Sequence, residues 1–84
     1  MYKIKNNVEI EKIDNETIVV DINNGKFIKL NEMSTVLLDC ITHSEIDEIS
    51  LEMCKKFGFV LAKSNEIINT FIDSMMKLEL IEQV

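Results

Sequence analysis

The residues of this chain that could do covalent or metal chemistry are few, and their spacing does not assemble them. His43 is the sole histidine and falls in a loop between two expected helices, with no set of Cys, Asp and Glu at metal-ligand spacing to join it, so it reads as a solvated loop residue. Ser34, Ser44, Ser50, Ser64 and Ser74 have no histidine partner in any recognisable nucleophile arrangement, and there is no glycine-rich phosphate loop. Glu45, Asp47 and Glu48 gather where a helix begins, a place the helix dipole favours for negative charge. Cys40 and Cys54 sit within helical apolar patterns and read as reduced, buried thiols rather than a disulfide. No catalytic residue, metal site or cofactor is expected, and an enzyme is the least supported class.

The chemistry that remains is that of the main chain. Asn24-Gly25, between the alternating run Ile18, Val20, Ile22 and the run Lys26–Leu30, predicts a two-residue type I′ hairpin turn, which needs φ > 0 at both central residues. Asn31 predicts an N-cap, because its side-chain oxygen can accept a backbone N–H that the first helical turn leaves unsatisfied. The strand therefore stops at Leu30 and a helix over 32–41 starts at once. Lys26, Phe27, Ile28, Lys29 and Leu30 become an edge strand with apolar residues of both parities and nothing later in the sequence to pair with. An open edge beside helices accepts an extended peptide as one more strand.

The elements that must position this edge follow from periodicity. Val8 and Ile10, with Glu9 and Glu11 pointing the other way, predict a first strand, and Asp14-Asn15 a tight turn into a second over 17–22. The expected class is α+β, a three-stranded antiparallel meander followed by three helices, winged helix-turn-helix-like. Lys and Glu blunt the first edge. The helix over 32–41 gathers Met33, Val36, Leu37, Cys40 and Ile41 on one face, and a second over 45–57 gathers Ile46, Ile49, Met53, Cys54 and Phe57. Lys55, Lys56 and Gly58 close the second helix. A third, over 65–78 with Ser64 as its cap, carries an apolar arc of Ile67, Ile68, Phe71, Ile72, Met75, Met76 and Leu78 that is wider than one core contact needs. Ile72 lies toward the middle of that arc and is expected in the core; either the small domain wraps the whole arc more deeply, or Ile67, Phe71 and Leu78, clustered at one side of it, line an exposed groove.

Composition bounds the function. The 84 residues make one domain, 1–84, able to bury about 60% of the surface of its unfolded chain, too little for a deep catalytic pocket. With 46% hydrophobic residues, two Gly and no Pro, the chain is expected to be folded apart from its ends. A formal charge of −6, nine Lys and no Arg argue against a nucleic-acid partner, which calls for a basic face. There is no stretch long and apolar enough to span a membrane and no apolar signal-peptide core in the first ten residues, so a cytoplasmic protein without a membrane partner is expected.

The order of elements, with Gly25-Lys26-Phe27-Ile28-Lys29-Leu30-Asn31 at the strand-to-helix junction, resembles the PqqD-like family of RiPP recognition elements, small winged-helix-like domains that bind precursor leader peptides. Ile18-Val19-Val20-Asp21, Val36-Leu37-Leu38, Phe71-Ile72 and Leu80-Ile81 extend the resemblance over about residues 8 to 82, and the Gly-x-aromatic-x-x-Leu-Asn piece is its specific part. The chain departs from the family pattern at Thr42-His43, where an Asp-Gly pair is common, and at Glu79, where Gly often precedes the final apolar pair. Ile67 stands near a position that is commonly acidic, which makes the groove more apolar. The resemblance implies that a leader peptide adds as an antiparallel strand to Lys26–Leu30, packing side chains against Ile67, Phe71 and Leu78. Lys26 and Lys29 would attract acidic leader residues. It also implies a separate partner enzyme, either a leader peptidase and cyclase, as in lasso peptide pathways, or a radical SAM maturase. The compact Val-Val-Asp and Gly-x-Phe hairpin is more like the lasso type.

Two other classes share the element pattern. A winged-helix transcriptional regulator needs a basic recognition helix, yet residues 64–78 hold one Lys against Glu66 and Asp73. A structural oligomerisation module would pair the third-strand edge with its own copy.

Overall fold

The structure, a computed structural model, describes residues 2–84, without the side chain of Ile46. Two short end strands enclose the expected meander and helices. The order is β1 (Tyr2–Ile4), β2 (Val8–Ile13), β3 (Glu16–Asp21), β4 (Lys26–Leu30), α1 (Glu32–Ile41), α2 (Ile46–Phe57), α3 (Leu61–Lys77) and β5 (Ile81–Gln83). β2, β3 and β4 form an antiparallel sheet in that spatial order, so β3 is central and β4 is an edge. β1 and β5 pair antiparallel as a separate ribbon, Lys3 opposite Glu82 with their charges 3.2 Å apart.

Register decides which face of the sheet is buried. Val8 opposes Asp21, Ile10 opposes Val19 and Ile28 opposes Val19 on the other side, so Thr17, Val19 and Asp21 point toward the helices. Ile18 and Val20 lie on the opposite, outer face, and Ile22 falls past the end of β3. The core is completed by Leu30, Leu37, Leu38, Ile41, Ile49, Met53, Ile68, Ile72, Met75, Leu80 and Ile81. Ile67 and Phe71 pack against its rim.

Two expectations require correction. The hairpin loop holds four residues rather than two, since Asp21 pairs with Lys26; Gly25 has φ 65 but Asn24 does not turn left-handed. The cause is Asp21. Its carboxylate accepts the Asn24 backbone N–H at 3.4 Å and the Asn24 side-chain amide at 2.7 Å, while the Ile22 N–H donates to the Asn7 carbonyl at 2.9 Å. The chain thus has a local alternative to the tighter ladder.

Ser64 is not the cap of α3. The helix starts a turn earlier, at Leu61, with Val60 as an N-cap that makes no side-chain bond. Ser64 is fully buried, its hydroxyl 3.4 Å from the Cys54 sulfur, and Ser50 bonds to Asn65 nearby. Small polar side chains are needed where α2 and α3 cross closely. The three-stranded sheet followed by three helices is as expected, and the described residues add to it the β1–β5 ribbon, whose strands are too short to show a period.

Asn31 caps α1 as expected, accepting the Ser34 N–H at 2.9 Å, and Gly58 ends α2 at φ 72. The end of α3 is equally well defined. Leu80 donates its N–H to the Met75 carbonyl and Glu79 to that of Met76, both at 3.0 Å, which is the double bond of a Schellman motif, with Leu80 and Met75 buried together. That motif requires a left-handed residue, and Glu79 takes it at φ 59. Glu79→Gly removes the steric cost, roughly 1–2 kcal/mol, and gives back about half of it through a freer unfolded chain. A net gain of about 0.5–1 kcal/mol is expected, read as a raised urea midpoint with unchanged slope. A lowered midpoint would show that Glu79 is not strained.

Candidate peptide-binding cleft

β4 is held on one side by β3 and is unpaired on the other. Its position is set by Asn31, which ends the strand, and by Leu30, whose buried side chain anchors it to the core. Beside the edge lies a cleft of about 320 Å³, lined by Val19, Asp21, Gly25, Lys26, Phe27, Ile28, Leu78 and Leu80. The lining is apolar apart from Asp21 and Lys26. A second cleft, about 430 Å³, lies between α1 and α3 and includes Met33, Leu37, Lys63, Ile67, Phe71 and Ser74.

Both clefts follow one line on α3. Ile67, Phe71, Ser74 and Leu78 recur at intervals of four, three and four, a single stripe of the helix surface. The stripe from Ile67 to Leu78 is about 17 Å long at 1.5 Å per residue. A five-residue strand such as β4 is about as long at 3.4 Å per residue. Leu78 borders the start of β4, while the chain beyond its end, at Met33 and Leu37, borders Ile67 and Phe71. The open edge and the stripe therefore run antiparallel.

The site residues expected from sequence separate into three groups. Lys26, Phe27, Ile28 and Leu78 come together in the first cleft. Ile67 and Phe71, half-buried, face α1 in the second rather than β4. Lys29 and Leu30 line neither: Leu30 is in the core, and Lys29 turns to the outer face, 3.2 Å from the Glu16 carboxylate. Val19, Asp21, Gly25 and Leu80 join the lining without having been expected at the site; the parity of β3 set by Val8 and Ile10 is the signal that points to Val19.

Asp21 fixes the start of β4 and brings charge to the cleft. Hydrogen bonds from the Asn24 side chain first, then Asn7 at 2.9 Å and the local backbone, hold its carboxyl below the ordinary value of 3.8 against the opposing effect of burial. Its stabilising contribution is thus complete above the ordinary carboxylate range and is lost as pH falls through the lowered folded value. Burial, with Glu52 and Asp39 nearby, pushes the Cys40 thiol up, away from nucleophilic reactivity. Among the described residues no group of three or more His, Cys, Asp or Glu is placed to hold a metal, and no helix is long and apolar enough to cross a membrane.

No protein-family model matches the chain, and no curated protein does. Two solved structures match it over nearly its whole length. One is TbiB1 in complex with the TbiA(beta) leader peptide, 18% identical, covering 98% of this chain and 96% of that one at a TM-score of 0.88. The other is lasso peptide synthetase B1 complexed with the leader peptide, 8% identical, covering 98% of both chains at 0.91. This chain has the lasso peptide synthetase B1 fold. It is the fold that the resemblance to the PqqD-like family implied, carried here by a sequence that shares few residues with either structure.

Proposed function

We propose that this protein is a stand-alone recognition protein for the leader segment of a ribosomally made precursor peptide. The leader adds to the β4 edge as an antiparallel strand, main-chain bonds supplying affinity and side chains in the α3 clefts supplying selectivity. The protein then presents the precursor, in the cytoplasm, to a separate enzyme: a leader peptidase and cyclase of the lasso type, or a radical SAM maturase. The observation that carries this reading is the unpaired β4 edge beside an apolar cleft, in a fold whose solved counterparts are complexes with leader peptides.

The leader of a precursor encoded beside this protein is expected to bind the isolated domain with a Kd of about 1 μM or below, about −8 kcal/mol, within reach of one added strand with two or three buried anchors. Amide shifts on titration should concentrate on Lys26–Leu30 and α3. Shifts confined to β2 would refute the site.

A further inference from the structure

Lys26 is placed to choose one residue of the incoming strand. In register it stands opposite Asp21, on the helix-facing side of β4, with Ile28 two positions along on the same side. Its ammonium is not within ion-pairing distance of a described carboxylate, whereas Lys29, the other cation of β4, is held by Glu16. Asp21 is the obvious rival for Lys26, but its carboxylate accepts from the side-chain amides of Asn7 and Asn24 and is not in an ion pair with Lys26. The rest of the lining is apolar: Val19, Ile28, Leu78 and Leu80 share the cleft with Lys26. A cation with an apolar floor around it, at the mouth of a cleft, is matched by a carboxylate whose neighbour two residues away is apolar.

We propose that Lys26 selects an Asp or Glu in the bound peptide, placed two residues after an apolar side chain that packs against Ile28 and Leu78. This rests on the reading of β4 as the docking edge. Residues directly opposite in an antiparallel pair have Cβ atoms about 4.5–5.5 Å apart and point to the same face, so the peptide residue opposite Lys26 shares its side of the sheet. Because β4 runs from Lys26 to Leu30, an antiparallel peptide passes Ile28 before it reaches Lys26. The recognised segment reads apolar-x-acidic, with the acid toward the peptide's C-terminus. The net charge of −6 disfavours acidic residues elsewhere along the peptide, which sharpens the choice at this position.

A displayed library of random peptides, selected on the wild-type protein and on Lys26→Glu, tests this. Wild-type binders are expected to share the apolar-x-acidic spacing, and Lys26→Glu is expected to replace the acid by Lys or Arg while keeping the apolar position. For a synthetic wild-type binder, changing its acid to the amide should weaken binding about fivefold, the upper end for a partly exposed ion pair, and less at high salt. The same change should have no effect on binding to Lys26→Met. Binders without the acid, or with an acid indifferent to Lys26→Glu, overturn the assignment to Lys26 while leaving the β4 edge standing. Leu78→Glu, at a side chain that is half-exposed, separates the two levels: if the library yields no binder that this substitution weakens, the reading of the cleft itself is overturned.

Discussion

Replacing Ile72 by Ala is expected to cost about 2–4 kcal/mol of folding stability, whereas the same change at its neighbour Phe71 is expected to act mainly on peptide binding. The two side chains leave α3 about 100° apart. Ile72 is 5% exposed within the core, and truncating it leaves a cavity that close-packed neighbours cannot fill. Phe71 is half-buried at the rim and lines the cleft between α1 and α3, opposite Met33 and Leu37. An aromatic anchor at an interface contributes mostly when its partner is present, so Phe71→Ala should weaken leader binding by at least tenfold, about 1.4 kcal/mol, with a smaller loss of stability. Urea denaturation and leader titration of both variants give a two-by-two comparison. If Phe71→Ala unfolds the domain while its folded fraction binds with unchanged affinity, Phe71 is core and the binding surface is confined to the cleft at Leu78.

An equally large effect is expected from the peptide's own backbone. An edge strand offers hydrogen-bonding groups on one side only, and in an antiparallel ladder alternate residues of the partner turn their N–H toward it. Single N-methyl groups placed along the leader should therefore alternate between harmful and harmless within the docked segment. Each harmful one removes a bond and leaves a β4 carbonyl unsatisfied, a combined loss of about 1–3 kcal/mol, or roughly ten- to a hundredfold in Kd. Its neighbours should bind as the parent does. A leader docking as a helix would lose affinity without period two, and so would one held only by its side chains. The isotherms of a methylated series decide among these.

The parts of the fold legible in the sequence were those with a local cause. Asn31 and Gly58 act within one helical turn, and the β4 to α1 junction was readable from Leu30-Asn31 alone. Elements fixed by distant partners were not legible. β1 and β5 are three residues each, too short to show a period, and exist because Tyr2 meets Gln83 and Ile4 meets Ile81. Ser64 reads as a cap by residue type, and only the closeness of α2 shows that it is buried instead. The cleft was half legible: β4 and Leu78 line one cleft as expected, but α3 packs so that Ile67 and Phe71 line the other, against α1. Crossing angles depend on side chains from several elements at once, and no window of the sequence contains them.

The β1–β5 ribbon has a consequence for the order of folding. Its pairs join residues separated by almost the whole chain, so its loop-closure entropy is the largest of any contact in the molecule, while the β2–β3 and β3–β4 hairpins close loops of a few residues. The ribbon therefore forms after the meander and helices have brought the ends together. Its opening reaches the cleft. β5 is separated from Leu80 by no intervening residue, and Leu80 both closes the α3 motif and lines the space beside β4. On the proposed reading, a peptide in the cleft is expected to hold Leu80 in place and to slow exchange in the β1–β5 pair. Amide exchange in β1 would then report on occupancy from the far side of the ribbon.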